Sequence, residues 1–298
     1  MTDDFVTDSF LRALRESPDA AARRRALPAY KTDPLVWIAE RGVKIESKDF
    51  GTIPFVPYAF QRPVITAVAD WKSFVVEKSR QMGITTPIMV AYAHQLLYSQ
   101  EVHGRPLRAC VSAQKFDVAQ DTILRIARVA LDSATAEERG RLRGWDPDRH
   151  NPEVSYSTPE GRSFIRAYSS EPGSMRSFAG NAGLMEEVAF MPFARETYQS
   201  IAAMLTTRSM FQAVSTYICD GDYYCELVDD HAALGLELFS FDWRHVPERL
   251  YNCEDPDHPV FDNGVWWRAK EVAKLGGNVH TFVPPAVEKA LKGRFTRK

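Results

Sequence analysis

Hydrophobic positions along this chain fall into short β-branched and aromatic runs, separated by longer stretches with helical periodicity. Runs at Phe74–Glu77, Arg108–Ser112, Phe164–Tyr168, Gly183–Glu186 and Phe211–Ser215 predict strands. Helical patterns follow several of them, Gln114–Leu131 among them. The segment after Gly83 is apolar on most sides, which predicts a buried helix, with Pro87 in a first turn that tolerates it. Alternation of this kind from about residue 53 to 245 predicts an α/β fold: a mainly parallel central sheet flanked by helices on both faces.

The flanks read differently. Residues 1–50 are charged and Ala/Arg-rich, with Phe10, Leu11 and Leu14 at helical spacing, and predict a small helical extension. The basic run Ala21-Ala22-Arg23-Arg24-Arg25 reads as a solvated helix face. Residues 132–162 are rich in charge, Pro and Gly and predict a loop-rich insertion. Beyond residue 246 prolines cluster at 247, 256 and 259, before a short helix over Gly264–Leu275 and a polar, basic tail. The division is therefore 1–50 extension, 51–245 main domain and 246–298 lid or linker.

Composition narrows the class. A length of 298 residues suits one large domain with extensions, and 45% apolar with 26% charged residues is ordinary for a globular chain. The formal net charge of −2 excludes a global basic field, so any polyanion contact must come from a local patch. Cysteines at 110, 219, 225 and 253 are too few for a disulfide framework. Cys219, Cys225 and His231 lack the spacing of structural zinc sites and read as ordinary thiols and a surface histidine. The N-terminus MTDDFVTDSF lacks the regions of a signal peptide, and no apolar stretch approaches a membrane span, so a soluble protein of a reducing compartment is expected.

Candidate chemistry centres on Lys78-Ser79-Arg80-Gln81-Met82-Gly83-Ile84-Thr85-Thr86. This has the frame of the phosphate-binding loop G-x-x-x-x-G-K-[ST], with Gly83 and Thr85 in place, Ile84 at the lysine and Lys78 at the first glycine. Such a frame combines backbone N–H groups, a helix N-terminus and one cation around a triphosphate. Downstream, Leu184-Met185-Glu186-Glu187 ends an apolar strand with two carboxylates. The first suits Mg²⁺, and the second suits orienting or deprotonating a water. Successive side chains on a regular strand face opposite ways, so only a strand end lets both reach one site. Upstream, the Gln61 amide in Tyr58-Ala59-Phe60-Gln61-Arg62 suits an adenine edge. Ser215 and Thr216 end another strand, where hydroxyls sense a γ-phosphate. Taken singly, each feature also fits an ordinary turn, strand junction or capped strand end. Their order converges on the carboxyl edge of a parallel sheet, where ligands bind.

The elements YAFQRP, EKSRQMGITT, SMRSFAGNAG leading into LMEEVAFMP, AVSTY, and Phe241-Asp242-Trp243-Arg244 followed by Pro247 cover roughly residues 55 to 250. Together they resemble the ATPase domain of the large terminase subunit of tailed bacteriophages. The resemblance implies a P-loop NTPase fold of the ASCE type and a motor that hydrolyses ATP with Mg²⁺ to drive DNA into a procapsid. The implied partners are double-stranded DNA, the portal and procapsid, the small terminase subunit and further copies in a homo-oligomeric ring. The implied location is the host cytoplasm, with no membrane. On this resemblance Gln61 reads adenine, Lys78 is the phosphate lysine, and Ser79, Gln81, Gly83 and Thr86 complete the loop. Arg80 is a phosphate-sensing or finger-type arginine, Thr85 the Mg²⁺ hydroxyl, Glu187 the catalytic carboxylate, and Ser215-Thr216 the coupling motif. Arg125, Arg128 and Arg176 are further candidates for an arginine donated to a neighbouring subunit. Glu186 departs from the family's usual aspartate. The family's C-terminal nuclease has no room in this sequence, and Glu254, Asp255, Asp257 and Asp262 lie in a Pro-rich stretch, so no nuclease activity is expected. The alternatives are a helicase-like nucleic-acid translocase and a catalytically inactive nucleotide-binding motor subunit.

Overall fold

The computed structural model describes residues 22, 24–47, 51–80, 82–144, 152–171, 173–175, 178–205, 209–216, 222–242 and 245, and strands at 260–262 and 265–267. The chain divides into two compact units, residues 1–77 with 83–239 and residues 78–82 with 240–298.

The larger unit begins with helices α1 (Ala29–Thr32) and α2 (Pro34–Arg41). Asp33 starts α2 by accepting from the backbone N–H of Leu35 at 2.8 Å, with Pro34 in the first turn. Strands β1 (Lys44–Ser47) and β2 (Gly51–Pro54) follow and pair antiparallel, Ser47 opposite Gly51. Then come α3 (Arg62–Ala69), β3 (Phe74–Lys78), α4 (Thr85–His103), β4 (Arg108–Ala113), α5 (Phe116–Ser133) and α6 (Ala136–Arg141). Next are β5 (Leu142–Arg143), β6 (Glu153–Thr158), β7 (Gly161–Tyr168), β8 (Ala182–Glu186) and a 3₁₀ turn, Val188–Phe190. Helix α7 (Ala194–Ala202), β9 (Met210–Thr216), α8 (Tyr223–Asp229) and β10 (Glu237–Phe241) complete the series.

The eight-stranded sheet has the order β10-β3-β9-β8-β4-β7-β6-β5. β4 runs parallel to β7 and β8, and β8 parallel to β9, which is the arrangement expected of helical crossovers. β9 and β8 stand between β3 and β4, so the strand after the loop does not pair with the strand before it. Helix α4 explains why its sequence lacks a polar stripe: every residue from Pro87 to Ser99 is buried. α7 and α8 supply Ile201, Tyr224 and Leu227 to a cluster that also takes in Val75, Met185 and Phe211 of the strands. Gly183 in β8 is required there, because a Cβ would lie 2.5 Å from Ile201 Cγ2.

The five strands expected from sequence all form. Residues 132–162 correct the reading of a loop-rich insertion. They contain α6, started by a Thr135–Glu138 capping box, and β5 and β6, which extend the sheet, β6 antiparallel to β7 and β5 antiparallel to β6. Here one face of each strand carries Arg, Glu and Ser, so a half-exposed pair of strands has the composition of a loop.

The second unit is small. Within it the Ser79 N–H donates to Phe241 O at 3.1 Å, and the Phe241 and His245 rings meet edge-on at 5.7 Å. Strands β11 (Val260–Asp262) and β12 (Val265–Trp267) pair antiparallel, Asp262 opposite Val265. This corrects the helix expected over Gly264–Leu275 at its start. Val265-Trp266-Trp267 favours a strand, and Asn263-Gly264 is a strong hairpin signal. Residues 268–275, like the Pro-rich stretch and basic tail, lie outside the described residues.

Candidate functional site

The site is built on the carboxyl edge of the parallel strands. Glu186 closes β8, opposite Ala113 of β4 and Val214 of β9. Its carboxylate is 8% exposed and accepts from the Thr122 hydroxyl of α5 at 2.6 Å. The Thr85 hydroxyl, in the first turn of α4, hydrogen-bonds it as well. Burial pushes the Glu186 carboxyl above its ordinary value. The two hydroxyl donors pull it back, the Glu187 charge raises it, and Arg125, one turn beyond Thr122, lowers it.

Glu187 solves the geometry that the sequence left open. It sits at φ 54° and ψ 47°, a left-handed conformation that costs a residue with a Cβ about 1–2 kcal/mol. The chain leaves the strand there and turns into the 3₁₀ helix, so Glu187 no longer follows the up-down alternation of β8. The strain is held from both sides: Val188 is 1% exposed, and the Ala189 N–H donates to Ser215 Oγ at 3.1 Å. Among the described residues other than glycine, Glu187 shares a positive φ with Trp71, at 57°, and differs from it in being a half-buried carboxylate beside a buried one.

Ser215, expected at the strand end, lies beside this turn. It is 0% exposed, accepts from Ala189 and donates to Thr216 O at 3.2 Å, so in this conformation its hydroxyl supports the Glu187 turn. Tyr224, fully buried, adds a second clamp by donating to Val76 O of β3 and Ser215 O of β9. Gln61 is likewise engaged by the chain itself. Its Oε1 accepts from the Tyr58 N–H at 3.1 Å and its Nε2 donates to Gly83 O at 3.1 Å. At 4% exposure the amide ties the Tyr58 turn to the loop glycine. Gly83 holds φ 65°, and a Cβ there would lie 3.5 Å from Gln61 Nε2.

Ile84, in the position of the usual lysine, is 1% exposed and belongs to the core. It offers no side-chain cap to the first N–H groups of α4. Thr86 is half-buried in the same turn. Lys78, Ser79 and Arg80 fall in the second unit: Lys78 ends β3 with 7% exposure, and Arg80 is exposed. Gln81 and Arg176 lie outside the described residues, as do Cys219, Glu254, Asp255 and Asp257. Arg125 pairs with Asp121 at 2.8 Å, and Arg128 with Glu46 of β1.

Thr122 and Tyr224 were not singled out from sequence. Thr122 carried one signal, a hydroxyl on the apolar stripe of α5 between Ala119 and Ile126. Tyr224 carried none.

No family model matches the chain. Among solved structures it is similar to the large terminase of a thermophilic bacteriophage, at a TM-score of 0.50 and 14% identity, over 71% of this chain and 54% of that one. It is similar to the HK97 bacteriophage large terminase at a TM-score of 0.50 and 14% identity, over 72% of this chain and 43% of that one. The chain thus spans about half the length of these structures or less. At this identity the likeness concerns architecture, and it shows that the α/β fold of this chain is one shared with large terminases.

Proposed function

We propose that this chain is the ATP-hydrolysing motor domain of a viral DNA-packaging terminase. The observation that carries the reading is the strained Glu187 beside a buried Glu186 that Thr85 and Thr122 hold in place.

The donor set fits Mg²⁺. A buried carboxylate with a raised pKa gains from a cation, and Thr85 brings a hydroxyl oxygen to it from the helix start. Magnesium suits sites with one or two protein carboxylates, the other positions going to water and phosphate. When bound it neutralises charge on the phosphate oxygens. Glu186 and Thr85 would hold it, the first N–H groups of α4 would receive phosphate oxygens, and Glu187 would orient the attacking water. Ser215 would keep Glu187 in its strained conformation. Lys78 keeps the phosphate role that the resemblance gives it, and Thr216 the coupling role. Double-stranded DNA as cargo, the portal, procapsid and small subunit as partners, and assembly as a ring all follow from the same resemblance, as does the host cytoplasm. Among the described residues no helix is long and apolar enough to cross a membrane.

The inactive-subunit reading loses support from Glu187, because a strained carboxylate is costly to keep in a site that does no chemistry. The test is Glu187→Gln. ATP turnover should fall about 10²-fold or more while the ATP-induced rise in melting temperature persists. Turnover within about twofold of the parent would refute the assignment of Glu187.

A further inference from the structure

On the sheet face that carries Phe164, the cluster built with α7 and α8 covers Cys110 and Tyr168, and the arginines beside Phe164, beyond that cluster, have no part in the site above. Helices α4, α5 and α6 pack on the other side of β4, β7, β6 and β5, over Val154, Tyr156, Ile165 and Ala167, all nearly or fully buried. Pairing register places Arg108, Phe164, Ser155 and Arg143 in one row across the four strands. At about 4.8 Å between strands, the two outer arginines of this row stand about 14 Å apart at the backbone. Arg162 and Arg166 lie two residues to either side of Phe164 on β7 and therefore share its face.

These arginines are held. Glu153, with its side chain 1% exposed, accepts from Arg162 and from Arg166, whose Nε is 3.0 Å away. Arg162 also donates to Ser155 Oγ at 3.3 Å, and Arg166 to Tyr168 Oη at 3.3 Å. Both guanidiniums lie over the Phe164 ring, at 5.6 and 5.4 Å. Arg162 remains 49% exposed, and Arg108 and Arg143 are exposed. Among the described residues only Phe178 leans over this patch, edge-on to Phe164 at 6.1 Å.

Two of these arginines, Arg162 and Arg166, bond the one buried carboxylate; Arg143 donates from Nη1 to Gly140 O and Leu142 O, each at 2.9 Å, and Arg108 is exposed, in a chain whose formal net charge is −2. Glu160, in the β6–β7 turn, and Glu171, beyond β7, mark its two ends. All four cations are arginine, whose planar fork suits phosphate, and the inner two are fixed before any ligand arrives. The only large apolar side chain in the row is the half-buried Phe164, so the face offers little to a hydrophobic partner. We propose that this face binds the phosphate backbone of duplex DNA, without reading base sequence. The choice of duplex DNA rests on the motor reading. The outer row matches a groove about 12 Å wide, with Arg108 and Arg143 on opposite phosphate walls and Arg162 between them.

The test uses the full chain with a fluorescent 30-base-pair duplex, with anisotropy followed across a range of KCl concentrations. The variant is Arg108→Gln, Arg143→Gln and Arg162→Gln together. It spares Arg166, so that Glu153 keeps a partner. The expected result is at least tenfold weaker binding at low salt, and a log–log salt slope reduced by about one unit per arginine that contacts phosphate. A charge-matched variant, Arg25→Gln, Lys72→Gln and Arg195→Gln, should keep the parent slope. Unchanged affinity and slope in the first variant would overturn the proposal, as would equal losses in both variants. Loss of poly-glutamate binding with duplex binding intact would also overturn it and point to an acidic protein instead. The ATP-induced melting shift, measured on the same samples, separates the two failures. If it is present while DNA binding is insensitive, only this face is lost. If it is absent in the parent chain, the motor reading fails.

Discussion

Thr122→Val is the sharpest probe of how this fold holds its carboxylate. The substitution keeps the shape of a 3% exposed side chain and removes the hydroxyl that donates to Glu186 at 2.6 Å. Hydrogen bonds to charged groups contribute about 1.5–3 kcal/mol, and valine leaves the Glu186 oxygen buried with one donor fewer. For a unit of this size about 1 kcal/mol moves the melting temperature by about 2–4 °C, so the drop should be about 3–12 °C at pH 8 without nucleotide or Mg²⁺. The sign with pH follows from the raised Glu186 carboxyl, whose ordinary value is 4.5. A carboxyl raised in the folded state favours folding at pH values below its unfolded pKa, and that contribution disappears as pH rises through the folded pKa. Removing a donor that stabilises the ionised form deepens this loss. The deficit of Thr122→Val should therefore be small near pH 4.5 and reach its full size above the folded pKa. In a Glu186→Gln background it should shrink toward the about 1 kcal/mol of a neutral hydrogen bond. Thermal unfolding followed by circular dichroism, for both singles and the double at several pH values, measures all of this. A deficit independent of pH, and unchanged beside Glu186→Gln, would refute the link between the two side chains.

Two further outcomes follow. Gly83→Ala should lower stability by about 1–2 kcal/mol, because alanine at φ 65° is strained; chemical denaturation measures it, and a midpoint equal to the parent would show that the loop relaxes freely. His94 is enclosed between α1, α2 and α4, with Nε2 on Tyr30 O at 3.0 Å and Nδ1 facing Gln95 Nε2, and burial lowers its pKa to about 4. The folded state thus resists a proton that the unfolded chain accepts below about 6.5, so the stability present above pH 6.5 is lost between 6.5 and about 4, by up to about 3 kcal/mol. Melting temperature recorded from pH 7.5 to 4 should fall, and more gently in His94→Gln; an identical pH profile in that variant would remove His94 as the cause.

The sequence alone determined five strands of the main sheet, the largely buried helix after Gly83 and the order of Gln61, Lys78, Thr85, Glu186–Glu187 and Ser215–Thr216 along the chain. These are legible because periodicity and turn chemistry act over a few residues. It did not determine that Ser215 supports the Glu187 turn, that Gln61 spends its amide on Tyr58 and Gly83, or that Thr122 reaches Glu186 across 64 residues of chain. Those contacts depend on strand register and on which helix face meets the sheet, and both are set by packing between distant segments. The strands β5 and β6 escaped notice for a related reason. A strand exposed on one side carries loop-like composition, and only pairing with β7 distinguishes the two. Glu187 shows the limit most clearly. That two adjacent carboxylates need a strand end to share one site follows from the alternation of side chains. That the chain meets this need with a left-handed residue, fixed by a buried serine from the next strand, is decided by tertiary structure, because only contacts from elsewhere in the fold can hold a glutamate in a conformation it would otherwise leave.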